Sequence, residues 1–161
     1  MSKSETTYRY PNSCIAMFAR APILGQVKTR LIPALGEQGA LDMHLQLMNR
    51  QFEVLNESSL CSVQLWVDRS IDHQAFNNFS GELKLQQGDS LGEKMFYAAQ
   101  VVLQKFNKVV IIGSDCPGID EVYLEQALQA LNAKTNDVVL GPALDGGYVL
   151  IAMKLPQLEI F

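Results

Sequence analysis

"KVVIIGSDCPGID", Lys108–Asp120, is the stretch on which the fold turns. Four β-branched residues in a row, Val109 to Ile112, with Gly113 at their end, read as a buried strand. Ser114 and Asp115 then enter a turn shaped by Pro117-Gly118. Asp120 is placed to cap a helix that carries Leu124, Leu128 and Leu131 on one face. A strand running through a polar turn into an amphipathic helix is part of a βαβ unit, and the pattern recurs on both sides. Upstream, "SCIAMFA" (Ser13–Ala19) is a first strand, and Leu41, Leu45, Met48, Phe52 and Leu55 form the stripe of a helix. "CSVQLWVD" (Cys61–Asp68) is a second strand and "ELKLQQG" (Glu82–Gly88) a weaker third. The helix "SLGEKMFYAAQVVLQKF" follows, with Leu91, Met95, Ala99, Val102 and Phe106 on one side. Downstream, "DVVLGPA" (Asp137–Ala143) and "YVLIAM" (Tyr148–Met153) complete the strands.

Alternating strands and helices imply an α/β protein whose parallel strands are joined by crossovers and covered on both faces. The near-continuous apolar strands agree with that burial. No repeat or linker divides the 161 residues. The expected organisation is a polar N-terminal tail over 1–12 and a single domain over 13–161. In such sheets ligands sit outside the carboxyl ends of the strands, so the loops there carry the functional question.

The totals bound the answer. The chain is 48% hydrophobic with a formal net charge of -4, which leaves no broad basic face for a nucleic acid. Anion recognition must therefore be local. "MSKSETTYRYPNS" holds no apolar stretch suited to a signal peptide, and no segment approaches the roughly 18 apolar residues of a membrane span. Cys14, Cys61 and Cys116 are odd in number and lack CxxC spacing, which points to reduced, mostly buried thiols and a cytoplasmic protein.

Three loops fall at the expected ligand edge. The first, "FARAPILGQVKTRLIPALG" (Phe18–Gly36), gathers Arg20, Lys28 and Arg30. Arginine presents a planar fork suited to phosphate oxygens and lysine a compact charge, while Gly25 would let the backbone approach a phosphate. Val27 stands where a Walker loop has glycine, and the dinucleotide GxGxxG is missing, which disfavours a nicotinamide-dependent oxidoreductase. Solvated surface charges are the alternative. The second loop places Asp115 where a carboxylate can hold Mg²⁺ or Mn²⁺ against a substrate phosphate; a turn-capping Asp is its alternative. Cys116 beside it has no histidine near in sequence and reads as packing. The third, "GPALDGGY", brings Asp145, Gly146 and Gly147, either a hairpin turn or backbone donors for a ligand. His44 and His73 lack ligand-spaced partners and read as structural or solvated.

"FARAPILGQVKTRL", "QQGDSLGEKM", "GSDCPGI" and "GPALDGGYVLIAM" occur in this order over Cys14 to Met153. Together they resemble an uncharacterised family of glycosyltransferase-A-type proteins in the nucleotide-diphospho-sugar transferase superfamily. The family is similar to 2-phospholactate guanylyltransferase and more remotely to molybdenum cofactor guanylyltransferase. The resemblance implies a three-layer α/β/α, Rossmann-like, mostly parallel sheet. It makes Arg20, Gly25, Lys28 and Arg30 candidate phosphate ligands, and Asp115 the metal-binding aspartate for Mg²⁺ or Mn²⁺. Gln87, Gly88 and Gly92 are implied contacts to nucleoside or acceptor, and Asp145, Gly146 and Gly147 an acceptor-side loop.

The activity implied is metal-dependent glycosyl transfer from a nucleotide sugar, with Lys28, Arg30 and Asp115 as catalytic candidates. Nucleotidyl transfer from an NTP to a phosphorylated acceptor is the alternative, and a non-catalytic nucleotide-binding module a third. Members of the family it resembles usually continue past the DGGY strand, and related nucleotidyltransferases take a further metal-binding aspartate from there. The domain is therefore expected to be short on that side, completed by a longer chain or a second one. A homodimer covering the apolar ending "KLPQLEIF" is expected with it.

Overall fold

The structure, a computed structural model, describes residues 7–161. The first six residues of the proposed tail lie outside them. Six strands form one sheet: β1 (Ser13–Ala19), β2 (Ser62–Val67), β3 (Glu82–Leu85), β4 (Lys108–Gly113), β5 (Val138–Pro142) and β6 (Tyr148–Met153). Three helices cover it: α1 (Ile32–Glu57), α2 (Leu91–Val102) and α3 (Glu121–Asn132). The strand order is β3-β2-β1-β4-β6-β5. β1 pairs in parallel with β2 and with β4, and β2 in parallel with β3.

β6 departs from the simple crossover pattern: it inserts between β4 and β5 and runs antiparallel to both. The cause is local. Residues 143–147 are too few for a parallel crossover, which needs about a dozen residues, so β5 and β6 form a hairpin. The fold is thus a mixed, mostly parallel three-layer α/β/α sheet, as the resemblance implied.

Period-2 alternation in β1 divides the core. Ile15, Met17 and Ala19 meet Met48, Phe52 and Leu55 of α1, in a cluster shared with Leu124, Leu128 and Leu131 of α3. Cys14, Ala16 and Phe18 meet Met95, Ala98, Ala99 and Val102 of α2 on the opposite face. Burial pushes the Cys61 thiol up to about 12, and Cys14 higher still, so both stay protonated packing groups. Leu91 corrects the expected stripe of α2: it is 64% exposed at the first turn, and the buried set shifts to include Ala98. α2 also ends at Val102, so Phe106 packs from beyond the helix.

The start of α1 is interrupted at Gly36, whose φ of 72° breaks the helical path just after the basic loop. α3 begins as anticipated, with Asp120 accepting the Tyr123 N–H at 2.8 Å. α2 opens with a capping box: the Ser90 hydroxyl accepts the Glu93 N–H, while the Glu93 carboxylate accepts the Ser90 and Asp89 N–H groups at 2.9 and 2.7 Å. The Ser90 and Asp89 amides hold the Glu93 carboxyl below its ordinary value of 4.5. The cap's contribution is therefore complete above that value and is lost as pH falls through the lower folded-state pKa. In amide exchange, the Asp89 and Ser90 N–H groups should lose protection as this carboxyl protonates. Glu93→Gln, which keeps the acceptor, should remove that pH dependence. Protection independent of pH in the native chain would contradict this account.

Candidate active site

Where β1 and β4 lie side by side, the connections depart in opposite directions, one through α1 to β2 and the other through α3 toward β5. This is the switch point of an open α/β sheet, where a crevice opens beyond the strand ends. A cavity of about 870 Å³ occupies it, within the 300–1,000 Å³ range typical of ligand sites. Arg20, Lys28, Arg30 and Lys94 line it, together with Asp68, Asp115 and His44. Four cations against two carboxylates make this a locally positive site in a chain of net charge -4. The gathered cations of the first loop are therefore a pocket lining.

Main-chain and side-chain ties fix the crevice floor. Ser114 N–H donates to the Phe18 carbonyl at 3.1 Å, which binds the end of β4 to that of β1. Asp68, just past β2, accepts the Ala21 N–H at 2.8 Å and anchors the start of the basic loop. The Gln86 amide donates to the Trp66 carbonyl at 2.9 Å and reaches the Ala19 carbonyl at 3.4 Å. His44 Nε2 lies 3.0 Å from the Arg20 carbonyl.

Lys28 is the most constrained residue of the site. Its φ of 46° and ψ of 43° make it the one non-glycine with positive φ among the described residues. That backbone conformation costs roughly 1–2 kcal/mol for an L-residue. It persists because the Lys28 carbonyl accepts the Leu31 N–H at 2.8 Å and the ammonium pairs with Asp115 Oδ1 at 3.1 Å. The lysine side chain is 13% exposed and the aspartate 64%. Backbone strain held this way is a feature of functional sites. Asp115 is consequently presented to solvent from a fixed strand end with a cation at its side.

The other anticipated residues are placed differently. Gly25 does not line the cavity; its φ is +74°, and an added Cβ would stand 3.1 Å from Glu37 Oε1, so glycine serves the loop's own path. Gln87, Gly88 and Gly92 also lie off the lining, where their neighbours Gln86, Leu91 and Lys94 take part. Gly88, at φ +132°, makes the close turn into α2, with Glu93 Cβ only 2.8 Å from where its own Cβ would be. Asp145, Gly146 and Gly147 share the sheet edge, because β5 runs parallel to β4, but two strand places away and outside the cavity. Asp145 accepts the Gly147 N–H at 3.0 Å, and Gly146 takes φ +90°, so these residues build the hairpin turn.

Among the lining residues that the sequence alone does not assign to the site are Asp68, Gln86, Lys94 and His44. Asp68 follows its strand as Asp115 follows β4, so the same strand-end rule would have found it. Gln86 and Lys94, the latter in the first turn of α2, lie within the quoted motif "QQGDSLGEKM", of which the resemblance implied contacts only for Gln87, Gly88 and Gly92. His44 gave no local signal, since its partners are far away in sequence.

No trio of His, Cys, Asp or Glu able to hold a metal ion by itself occurs among the described residues. No helix among them is long and apolar enough to cross a membrane.

A mostly parallel sheet with a cation-lined crevice at its switch point is a fold of the nucleotide-diphospho-sugar transferase class. The solved structures agree. A protein from Desulfovibrio desulfuricans G20, provisionally named a nucleotide-diphospho-sugar transferase, is 29% identical with a TM-score of 0.79. A cytidylyltransferase from Leptospira borgpetersenii serovar Hardjo-bovis (strain JB197) is 15% identical with a TM-score of 0.62. CMP:2-keto-3-deoxy-manno-octonic acid synthetase, solved with CTP, is 15% identical at 0.56. The alignments cover 94%, 94% and 80% of this chain, and 65%, 63% and 51% of the other three, so it spans less than two thirds of each. No curated protein matches the sequence. The chain belongs to the family described as "Uncharacterized protein conserved in bacteria (DUF2064)", whose profile matches residues 51–161.

Proposed function

We propose that this chain provides the donor site of a cytoplasmic, metal-assisted transferase that uses a nucleotide sugar. The observation that carries the proposal is the convergence of Arg20, Lys28, Arg30 and Lys94 with Asp115 in one switch-point cavity. Arg20 and Arg30 are exposed guanidinium forks able to take phosphate oxygens in pairs, and Lys28 is a half-buried point charge.

Asp115 fits a Mg²⁺ or Mn²⁺ site in one specific sense. Its carboxylate is accessible at a fixed strand end, and with no trio of protein ligands among the described residues an ion held by Asp115 would need substrate phosphate oxygens as well. Such an ion supplies charge neutralisation to the leaving phosphate. The chain's own groups bind and orient. Lys28 and Arg30 hold the diphosphate, so the negative charge that accumulates as the bond to the sugar carbon breaks meets fixed positive charge. An acceptor hydroxyl oxygen forms the new bond to that carbon and releases its proton to solvent, and the nucleoside diphosphate leaves with the bonding pair.

The four cations favour a second reading, because a triphosphate carries more charge than a diphosphate. There an acceptor phosphate oxygen attacks the α-phosphorus of an NTP, and pyrophosphate leaves. Either donor is a nucleotide with a charged tail, so the cavity is the same and the substrate panel separates them. NTPs and nucleotide sugars should be screened by thermal shift, each with and without Mg²⁺ or Mn²⁺. At 100 times its dissociation constant a ligand adds about 2.7 kcal/mol, worth about 5–10 °C for a domain of this size. Metal-dependent preference for a nucleotide sugar supports the first reading, and for one NTP the second. A silent panel would overturn both.

A further inference from the structure

The geometry points to His44 as a positioning residue, the strut that sets the spacing between the cation loop and Asp115. The role rests on the donor-phosphate function proposed above and deepens it. His44 lies on the buried face of α1, in line with Ala40, Met48, Phe52 and Leu55. An apolar side chain would satisfy that stripe, and a polar group 3% exposed is costly there unless it is paired. Its pairing is directed at the site. Nε2 lies 3.0 Å from the carbonyl of Arg20, the first residue after β1. A carbonyl can only accept, so Nε2 carries the proton and donates.

The other nitrogen, Nδ1, makes no hydrogen bond among the described residues. It lies 3.9 Å from Asp115 Oδ1, the same oxygen that the Lys28 ammonium contacts at 3.1 Å. One rigid ring therefore lies between both halves of the site: it is hydrogen-bonded to the backbone from which Arg20, Lys28 and Arg30 extend, and it stands beside the carboxylate across the crevice. Asp68 anchors the next residue of that loop through the Ala21 N–H. Arg20 and Ala21 are thus clamped from two sides, by α1 and by the end of β2. Without the histidine donor the Arg20 carbonyl loses its partner, and the cation loop is free to shift relative to Asp115. Phosphate groups bridging the two would then meet displaced charges, and misplacement of about 1 Å can cost 10²-fold in a positioned reaction.

Two variants of His44 separate positioning from mere packing. His44→Leu fills the volume without a donor, and His44→Gln restores an N–H able to reach the Arg20 carbonyl. The readouts are amide exchange over 20–31 and 113–116, and the affinity for inorganic triphosphate with Mg²⁺ by calorimetry. His44→Leu should stay folded, exchange about tenfold faster over 20–31 and bind Mg²⁺–triphosphate about tenfold more weakly. His44→Gln should recover both. Unchanged exchange and affinity in the Leu variant, or a Gln variant as impaired as Leu, would overturn the role. If neither the variants nor the native chain bind Mg²⁺–triphosphate, the triphosphate reading of the donor site falls, and the exchange comparison alone then decides whether His44 holds the loop.

Discussion

Asp115→Asn is expected to abolish the metal dependence of donor binding and to lower turnover about 10²–10³-fold, the usual scale for removing one electrostatic stabiliser. The change is nearly isosteric, and the side chain is 64% exposed with one close cation. The carboxylate end of the pair stands in solvent, so its loss should cost about 1 kcal/mol of stability. The two effects can thus be read apart: melting temperature nearly constant, catalysis lost. Metal-free nucleotide binding should persist or tighten, because Lys28 is released toward the phosphates and a nearby negative charge is gone. Calorimetric titration of the preferred nucleotide, with and without Mg²⁺, checks this directly. A variant that keeps the full Mg²⁺ enhancement would place the ion elsewhere and remove Asp115 from the site.

Trp66→Ala should produce the largest loss of stability, about 3–5 kcal/mol. Trp66 is 1% exposed and stacks on Phe18 at a centroid distance of 6.3 Å, while Tyr97 meets its edge at 6.1 Å. Its indole N–H donates to Gln64 Oε1 at 3.1 Å, so truncation also leaves a buried acceptor without that donor. For a domain of this size the melting temperature should drop by about 6–20 °C. Phe18 lines the cavity, so donor affinity should weaken as well once its stacking partner is removed. Urea denaturation gives the number. A loss below about 1 kcal/mol would mean that α2 and the sheet repack around the gap.

Much of the fold was legible because its determinants are short-range. The β1 stretch Ser13–Ala19 and the β6 stretch Tyr148–Met153 coincide with the runs of apolar residues that announce them. Asp120 caps α3 because N-cap chemistry involves only the next three residues. The strand-end position of Asp115 followed from the run of β-branched residues before it. At Leu91 helical spacing predicted burial, but the side chain is 64% exposed and lines the cavity, a placement no local pattern encodes.

Periodicity, caps and turn residues act over a few positions, and they suffice to define a three-layer α/β protein whose polar loops share one sheet edge. Only the tertiary structure decided which loops meet. Strand order sets β1 beside β4 and sends the β5–β6 hairpin two places away, so Asp145–Gly147 shape a turn while Arg20, Lys28, Arg30 and Asp115 share a cavity. It also decided that His44, one helix removed from any motif, reaches Arg20 and Asp115. Contacts between residues so far apart in the chain leave no periodic trace, because they come from how whole elements stack and not from which residues adjoin.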